Sequence, residues 1–171
     1  AAASVIRNFI SPAFFSEMRT RQQLGYVVWG FTTRRERLLH GGFVIMSADY
    51  SPVELEERAE SFIATLPEQL AEVDSETFAT LVEGAKSEVR EKDKSIAEKA
   101  GTFFRLAYQH DEDWDRKEET LDALDALTLA ETVSALRSMV APETQRLRTV
   151  RAFAEQHALP GETVATTTAL D

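Results

Sequence analysis

At 171 residues, the chain is long enough for one domain with a hydrophobic core and short for two. Its composition, 43% hydrophobic and 28% charged, is that of an ordinary globular protein, and no apolar run reaches the roughly 18–20 residues that a membrane-spanning helix needs. The net charge of −10 argues against nucleic acid as a partner, because an acidic surface repels phosphates.

The first predicted element is a helix over residues 5–23, where apolar residues recur mostly at helical spacing. Pro12 interrupts this pattern, so we expect the helix to restart there, with Ser11 as its cap and the proline in its first turn. Leu24 and Gly25 end the helix. We interpret Gln23 and Gly25 as geometric residues, and the glycine is expected to permit the sharp change of direction into the strand that follows.

Two strands are predicted next. Residues 26–33 are rich in β-branched and aromatic residues, and a second apolar run covers residues 43–46. A charged turn at residues 34–37 separates the two runs, which favours an antiparallel hairpin. Both runs are apolar on both faces, so we expect both faces of the sheet to be covered.

The rest of the chain is predicted to be mainly helical. Start signals for helices are, in chain order, Ser51-Pro52, Asp74-Ser75, Ser95 with Glu98, and Thr128 with Glu131. Pro67 should bend the first of these helices. Leucines at positions 121, 124 and 127 suggest a further short helix.

The chain is expected to close with a strand over residues 146–153. The domain would then span residues 1–158, and residues 159–171 would form a loose tail. A hairpin, a block of helices and a returning strand make an α+β domain rather than an alternating βαβ fold. The expected architecture is an antiparallel sheet packed against several helices in two layers.

The histidines do not form a metal-binding motif. His40, His110 and His157 lie far apart, whereas HExxH and its inverse HxxEH place two histidines four residues apart on one helical face. Cysteine is absent, which excludes disulfides, thiolate zinc sites and a cysteine nucleophile. The acidic residues after His110 lack the glycine turn of a calcium loop, and an independent enzyme built on them is kept only as an alternative. We expect no metal, cofactor or catalytic residue in this chain.

One stretch carries a more specific signal. Residues 14–28 read FFSEMRTRQQLGYVV. This segment closely resembles the motif F-x-x-L-R-T-x-x-Q-L-G-Y in the last domain of the pitrilysin/insulinase family of zinc metallopeptidases. The resemblance covers roughly residues 1–155; its Arg-Thr-x-x-Gln-Leu-Gly-Tyr core is highly specific, and the helical remainder is weakly so.

The resemblance implies a function. Family members are clamshells of two halves, in which the first domain carries HxxEH and the zinc and the last domain faces it across a closed chamber. The family assigns the arginine and the tyrosine of the motif, here Arg19 and Tyr26, to the substrate. A guanidinium can donate to a peptide carbonyl, and a phenol can donate to the developing oxyanion. The chain is thus expected to be a substrate-binding, catalytically inactive domain of a zinc metalloendopeptidase that degrades peptides, and no enzyme on its own.

The resemblance also implies partners. Family domains open with strands before the first helix, whereas this chain starts within that helix. We therefore expect a fragment that lacks the first strands and the zinc-bearing N-terminal half, with a naturally split subunit as the alternative. The expected partners are a peptide substrate and that half, with no nucleic acid and no membrane. The exposed sheet edge predicts self-association of the isolated chain. The alternative is a non-catalytic scaffold or assembly subunit of the same fold. By analogy with bacterial relatives we expect a periplasmic location, with the cytoplasm as the alternative.

Overall fold

The computed structural model describes residues 1–35, 38–110, 112–141, 143, 149–154 and 157. Its elements are α1 (Ala2–Phe15), a π-helical turn (Ser16–Arg21), β1 (Val27–Arg35), β2 (Leu38–Met46), α2 (Pro52–Ile63), α3 (Leu66–Ala71), α4 (Ser75–Arg90), α5 (Ile96–Gln109), α6 (Arg116–Asp125) and α7 (Leu129–Val140). Within these ranges the sheet has two antiparallel strands. The predicted α+β class, an antiparallel sheet with several helices, is therefore confirmed.

Helix α1 is central because it contributes side chains to each hydrophobic cluster found among the described residues. The clusters are Val5 with Val82, Ala85 and Leu124; Ile6 and Ile10 with Leu66, Leu70, Val133 and Leu136; and Phe14 and Met18 with Leu24, Val28 and Leu55. Burying one large apolar side chain stabilises the fold by roughly 1.5–3 kcal/mol. Since α1 also leads directly into the π-helical turn, this packing holds the motif in place.

Pro12 does not restart the first helix, and that prediction was wrong. Helix α1 runs through Pro12 without a break. Ser11 does not cap it; its hydroxyl instead donates to the carbonyl oxygen of Gly30 in β1. Proline removes one helical hydrogen bond. Burial of Ile10 and Phe14 on either side of it offsets that loss.

The predicted hairpin is present, and its strands are longer than expected. Val27 lies opposite Met46, and Gly30 lies opposite Phe43. Residues 34 and 35, assigned to the turn from the sequence, belong to β1, while residues 36 and 37 lie outside the described part of the chain.

The hairpin is covered on one face, not on both as expected. Val28 is buried on the face that packs toward α1. On the opposite face Trp29 is 60% exposed, Phe31 38% and Met46 48%. Apolar residues on both faces of a strand predict burial only when another element supplies a second layer. In the described residues no such layer covers this outer face.

The helices begin at the predicted caps. Ser51, Asp74 and Ser95 each accept a hydrogen bond from a backbone N–H three residues on, and Thr128 forms a full capping box. Pro67 does not bend a long helix as predicted: α2 ends at Ile63, and Pro67 lies in the first turn of α3. No helix in the described ranges is long and apolar enough to cross a membrane.

The prediction of a last strand over residues 146–153 is wrong for residues 149–153, the part that the structure describes. Residues 149–154 have no regular secondary structure, and Val150 is 84% exposed. This segment is tied to α2 by an ion pair between Arg151 and Glu56. The hydrogen bond from Arg151 holds the pKa of the Glu56 carboxyl below its ordinary value. The rest of the predicted strand and the predicted tail at residues 159–171 lie outside the described residues.

Candidate functional site

The motif begins on the π-helical turn that continues α1. The Gln22 backbone N–H donates to the Glu17 carbonyl oxygen at 2.9 Å, which is the i to i−5 spacing of a π-helix. The Glu17 carboxylate also accepts from the Gln22 side chain at 2.8 Å and pairs with Arg21 at 3.1 Å. Met18 is fully buried, whereas Arg19 next to it is exposed. Such turns often occur at functional sites.

The chain reverses at Gln23. Its φ of 54° lies in the left-handed region, where a residue other than glycine is strained by about 1–2 kcal/mol. The adjacent Leu24 holds the reversal, because its side chain is fully buried and its N–H donates to the Met18 carbonyl oxygen at 2.9 Å. Gln23 and Gly25 were both interpreted as geometric residues from the sequence. The positive φ of the reversal falls at Gln23 and not at Gly25.

Gly25 is needed for close approach instead. A Cβ atom at this position would lie 2.2 Å from the carbonyl oxygen of Met46 and 2.9 Å from its carbonyl carbon. These are backbone atoms, so a change of side-chain rotamer cannot relieve the clash. Only glycine therefore fits where the end of β2 passes the motif.

The Arg19 side chain contacts the backbone next to Tyr26 at this point of close approach. The guanidinium of Arg19 donates through Nη1 to the carbonyl oxygen of Gly25, the residue just before Tyr26. The Tyr26 side chain is 60% exposed, and its backbone N–H donates to Met46 at 3.0 Å. Both side chains predicted from the motif thus lie at the surface and next to the same peptide unit.

Two open grooves flank the motif, and neither was predicted from the sequence. An apolar groove of about 580 Å³ is lined by Ser11, Phe15, Val28, Trp29, Gly30 and Phe31. A polar groove of about 720 Å³ is lined by Glu17, Arg21, Gln22, Glu57, Arg58, Ser61, Phe62, Thr65 and Gln69. The polar groove forms between the π-helical turn and helices distant from it in sequence, and the apolar groove forms between α1 and β1. The apolar run at the start of β1 was the available signal for the apolar groove.

The histidines do not gather at the motif. His40 is exposed on β2, and the ring of His157 lies 3.4 Å from the carbonyl oxygen of Ala48. In the described part of the chain no group of three or more His, Cys, Asp or Glu side chains could hold a metal ion. Asp111, within the acidic stretch after His110, lies outside the described residues.

The fold and the motif together define a C-terminal domain of the pitrilysin/insulinase class. The crystal structure of pitrilysin matches this chain with a TM-score of 0.74, over 84% of this chain and 15% of the pitrilysin chain, at 22% identity, which shows the shared fold. Residues 5–104, more than half of the chain, match the family model described as PQQ synthase PqqF-like, C-terminal lobe domain 4. The chain belongs to this family.

Curated relatives agree with this assignment. Protease 3 of Escherichia coli O6:H1 is 27% identical over 127 residues, which are 74% of this chain and 12% of that protein. Human insulin-degrading enzyme is 24% identical over 137 residues, which are 80% of this chain and 13% of that protein. The chain therefore matches about an eighth of the length of these relatives.

Proposed function

We propose that this chain is a substrate-binding, catalytically inactive domain of a zinc metalloendopeptidase that degrades peptides. The observation that carries the proposal is that Arg19 and Tyr26 are both exposed where α1 gives way to the hairpin, with the Arg19 guanidinium bound to the carbonyl oxygen of the residue before Tyr26. Its partners are a peptide substrate and another half of the enzyme, which binds the zinc. Kinship with the C-terminal lobes of insulinase-type peptidases supports such a partner half.

Each side chain has a task that suits its chemistry. The guanidinium of Arg19 presents several N–H donors in a fixed plane, which suits it to orient a main-chain carbonyl of the substrate. The phenol of Tyr26 can donate its O–H to the oxyanion that develops at the scissile carbonyl. Removing one such donor typically lowers kcat about 10²–10³-fold. Because the zinc half lies across the chamber in this proposal, closure of the two halves gates the reaction.

The test uses the intact peptidase that contains this domain. Arg19→Ala and Tyr26→Phe should each depress hydrolysis of a quenched fluorogenic peptide, and Tyr26→Phe should lower kcat by about 10²–10³-fold. Zinc content, measured by mass spectrometry, should stay unchanged in both variants. Arg21→Ala is the matched control, because Arg21 lies on the same turn but pairs with Glu17. Unaltered kinetics in both site variants would remove the assignment.

The second candidate, a scaffold or assembly subunit, is favoured by one observation. Helix α5 and the segment after it expose half or more of the side chains of Phe103, Phe104, Tyr108 and Trp114. Exposed apolar patches of this kind mark contact surfaces for other polypeptides. Purification of the native assembly distinguishes the candidates: a zinc-loaded assembly that cleaves peptides supports the peptidase, and a stable assembly that cleaves none supports the scaffold.

A further inference from the structure

We infer that Arg19 is a positioning residue for Tyr26, and that it acts through the peptide unit joining Gly25 to Tyr26. The inference rests on the proposed role of Tyr26 at the substrate. It goes further by giving Arg19 a task within the domain itself, before any substrate is bound.

The peptide unit between Gly25 and Tyr26 is held at both of its polar groups. Its carbonyl oxygen accepts from Nη1 of Arg19, and its N–H donates to the carbonyl oxygen of Met46 at 3.0 Å. In a planar trans peptide the C=O and the N–H point to opposite sides of the C–N bond. Hydrogen bonds to both groups therefore fix the orientation of the peptide plane. The bond from the guanidinium is charge-assisted and therefore stronger than a neutral one.

The neighbouring residues are fixed by other contacts, so the hydrogen bond from Arg19 to Gly25 is the one that a side-chain substitution can remove. Leu24 is anchored by its buried side chain and by its N–H bond to Met18. Gly25 lies so close to the backbone of Met46 that it cannot move toward β2. The remaining freedom of the segment is a rotation that would swing the Gly25 carbonyl away, and Arg19 opposes that rotation.

The backbone matters here because packing does little to orient the tyrosine. With its side chain 60% exposed, Tyr26 has few neighbours that could direct its ring. The direction of its Cα–Cβ bond is thus set mainly by the peptide unit before it and by the start of β1. Arg19 has five N–H donors, so it can hold Gly25 and still offer others to a substrate carbonyl.

The first test measures the peptide unit directly, by amide hydrogen exchange of the isotope-labelled 171-residue chain followed by NMR. In Arg19→Ala the Tyr26 amide should exchange about five- to tenfold faster, as expected for losing one partly exposed, charge-assisted hydrogen bond. Other protected amides of β1 and β2 should keep their rates. Arg21→Ala should leave the Tyr26 amide unchanged.

This test can fail in two ways. An unchanged Tyr26 rate in Arg19→Ala overturns the inference, and so does an equal acceleration at every amide of the hairpin. Arg19→Gln, which keeps most of the side-chain volume without the charge, takes the place of the alanine variant if that variant does not fold.

The second test is a double-mutant cycle in the intact peptidase. If Arg19 acts through Tyr26, the loss of kcat caused by Arg19→Ala should be at least about tenfold smaller in the Tyr26→Phe background than in the wild type. Fully additive losses would show that the two residues act independently and would overturn the inference. A third outcome is that neither substitution affects activity although Arg19→Ala still accelerates exchange of the Tyr26 amide. That outcome would contradict the proposed function but would support the contact between Arg19 and the peptide unit.

Discussion

The rings of Phe14 and Phe43 lie with their centroids 4.6 Å apart and their planes inclined by 50°. Phe14 belongs to the last turn of α1, and Phe43 lies in the middle of β2. The Phe14 ring also lies 6.3 Å from that of Phe62 in α2. A single side chain thus connects the helix that carries the motif to the hairpin and to the next helix, two residues before the π-helical turn begins.

Replacing Phe14 should therefore be costly. Phe14→Ala is expected to lower the free energy of unfolding by about 3–5 kcal/mol, because the buried ring leaves a cavity between three elements. Phe104→Ala is the matched control: that ring is 57% exposed, so its loss should cost far less. Urea unfolding followed by circular dichroism measures both. Similar losses in the two variants would contradict the assigned core.

Gly25 should not tolerate a side chain. Gly25→Ala places a Cβ atom 2.2 Å from the Met46 carbonyl oxygen, so the hairpin must shift, and we expect a loss of about 1–3 kcal/mol in unfolding free energy. Gly101→Ala should have the opposite sign. Its Cβ would lie 3.6 Å from the nearest atom, and alanine favours a helix by about 1 kcal/mol over glycine. The close approach would be disproved if both variants were stabilised in thermal melts.

The cap of α4 makes stability depend on pH. The hydrogen bond from the Thr77 backbone N–H holds the pKa of the Asp74 carboxyl below its ordinary value. A carboxyl whose pKa is lower in the folded state contributes stability above its unfolded pKa, near 3.8, and loses it as the pH falls through the folded pKa.

Asp74→Asn isolates this effect, because asparagine still caps a helix but does not titrate. The Tm of the wild type minus that of Asp74→Asn should be largest above about pH 5 and should shrink as the pH is lowered below the unfolded pKa. Thermal melts from pH 2 to pH 7 measure the difference. A Tm difference that is constant across this range would show that the carboxylate adds nothing to the cap.

The isolated chain should self-associate. The outer face of the hairpin is apolar and exposed, and the outward edges of β1 and β2 pair with no other strand in the described residues. At micromolar concentration, light scattering after size exclusion should report a mass above that of one chain. Trp29→Glu, which places a charge in this face, should reduce the association, while Glu57→Gln on the exposed surface of α2 should not. A strictly monomeric wild type would contradict the prediction.

Local features of the fold could be predicted from the sequence. The caps at Ser51, Asp74 and Thr128 depend on a side chain and a backbone N–H only three residues apart, so short segments of sequence suffice to identify them. The hairpin was also predictable, because a short charged connection between two β-rich runs favours antiparallel pairing. The motif with Arg19 and Tyr26 was found by its resemblance to the pitrilysin/insulinase family, and consecutive residues 14–28 are enough to show that resemblance.

Features that depend on distant contacts could not be predicted in this way. Pro12 remains inside α1 because the side chains around it are buried against other elements, and burial outweighs one missing hydrogen bond. The left-handed conformation of Gln23 accompanies the anchoring of the buried Leu24 to Met18, a contact that the spacing of residues does not reveal.

The sequence by itself determined which residues this domain offers: the family motif, its two polar side chains, and a chain without a histidine pair at metal-binding spacing. Only the tertiary structure decided how they are held. The contact between Arg19 and Gly25 arises because the π-helical turn, the reversal and the end of β2 come together in space. The hydrogen bonds at such a junction depend on the relative positions of three backbone segments. The spacing of residues along one segment cannot predict those positions.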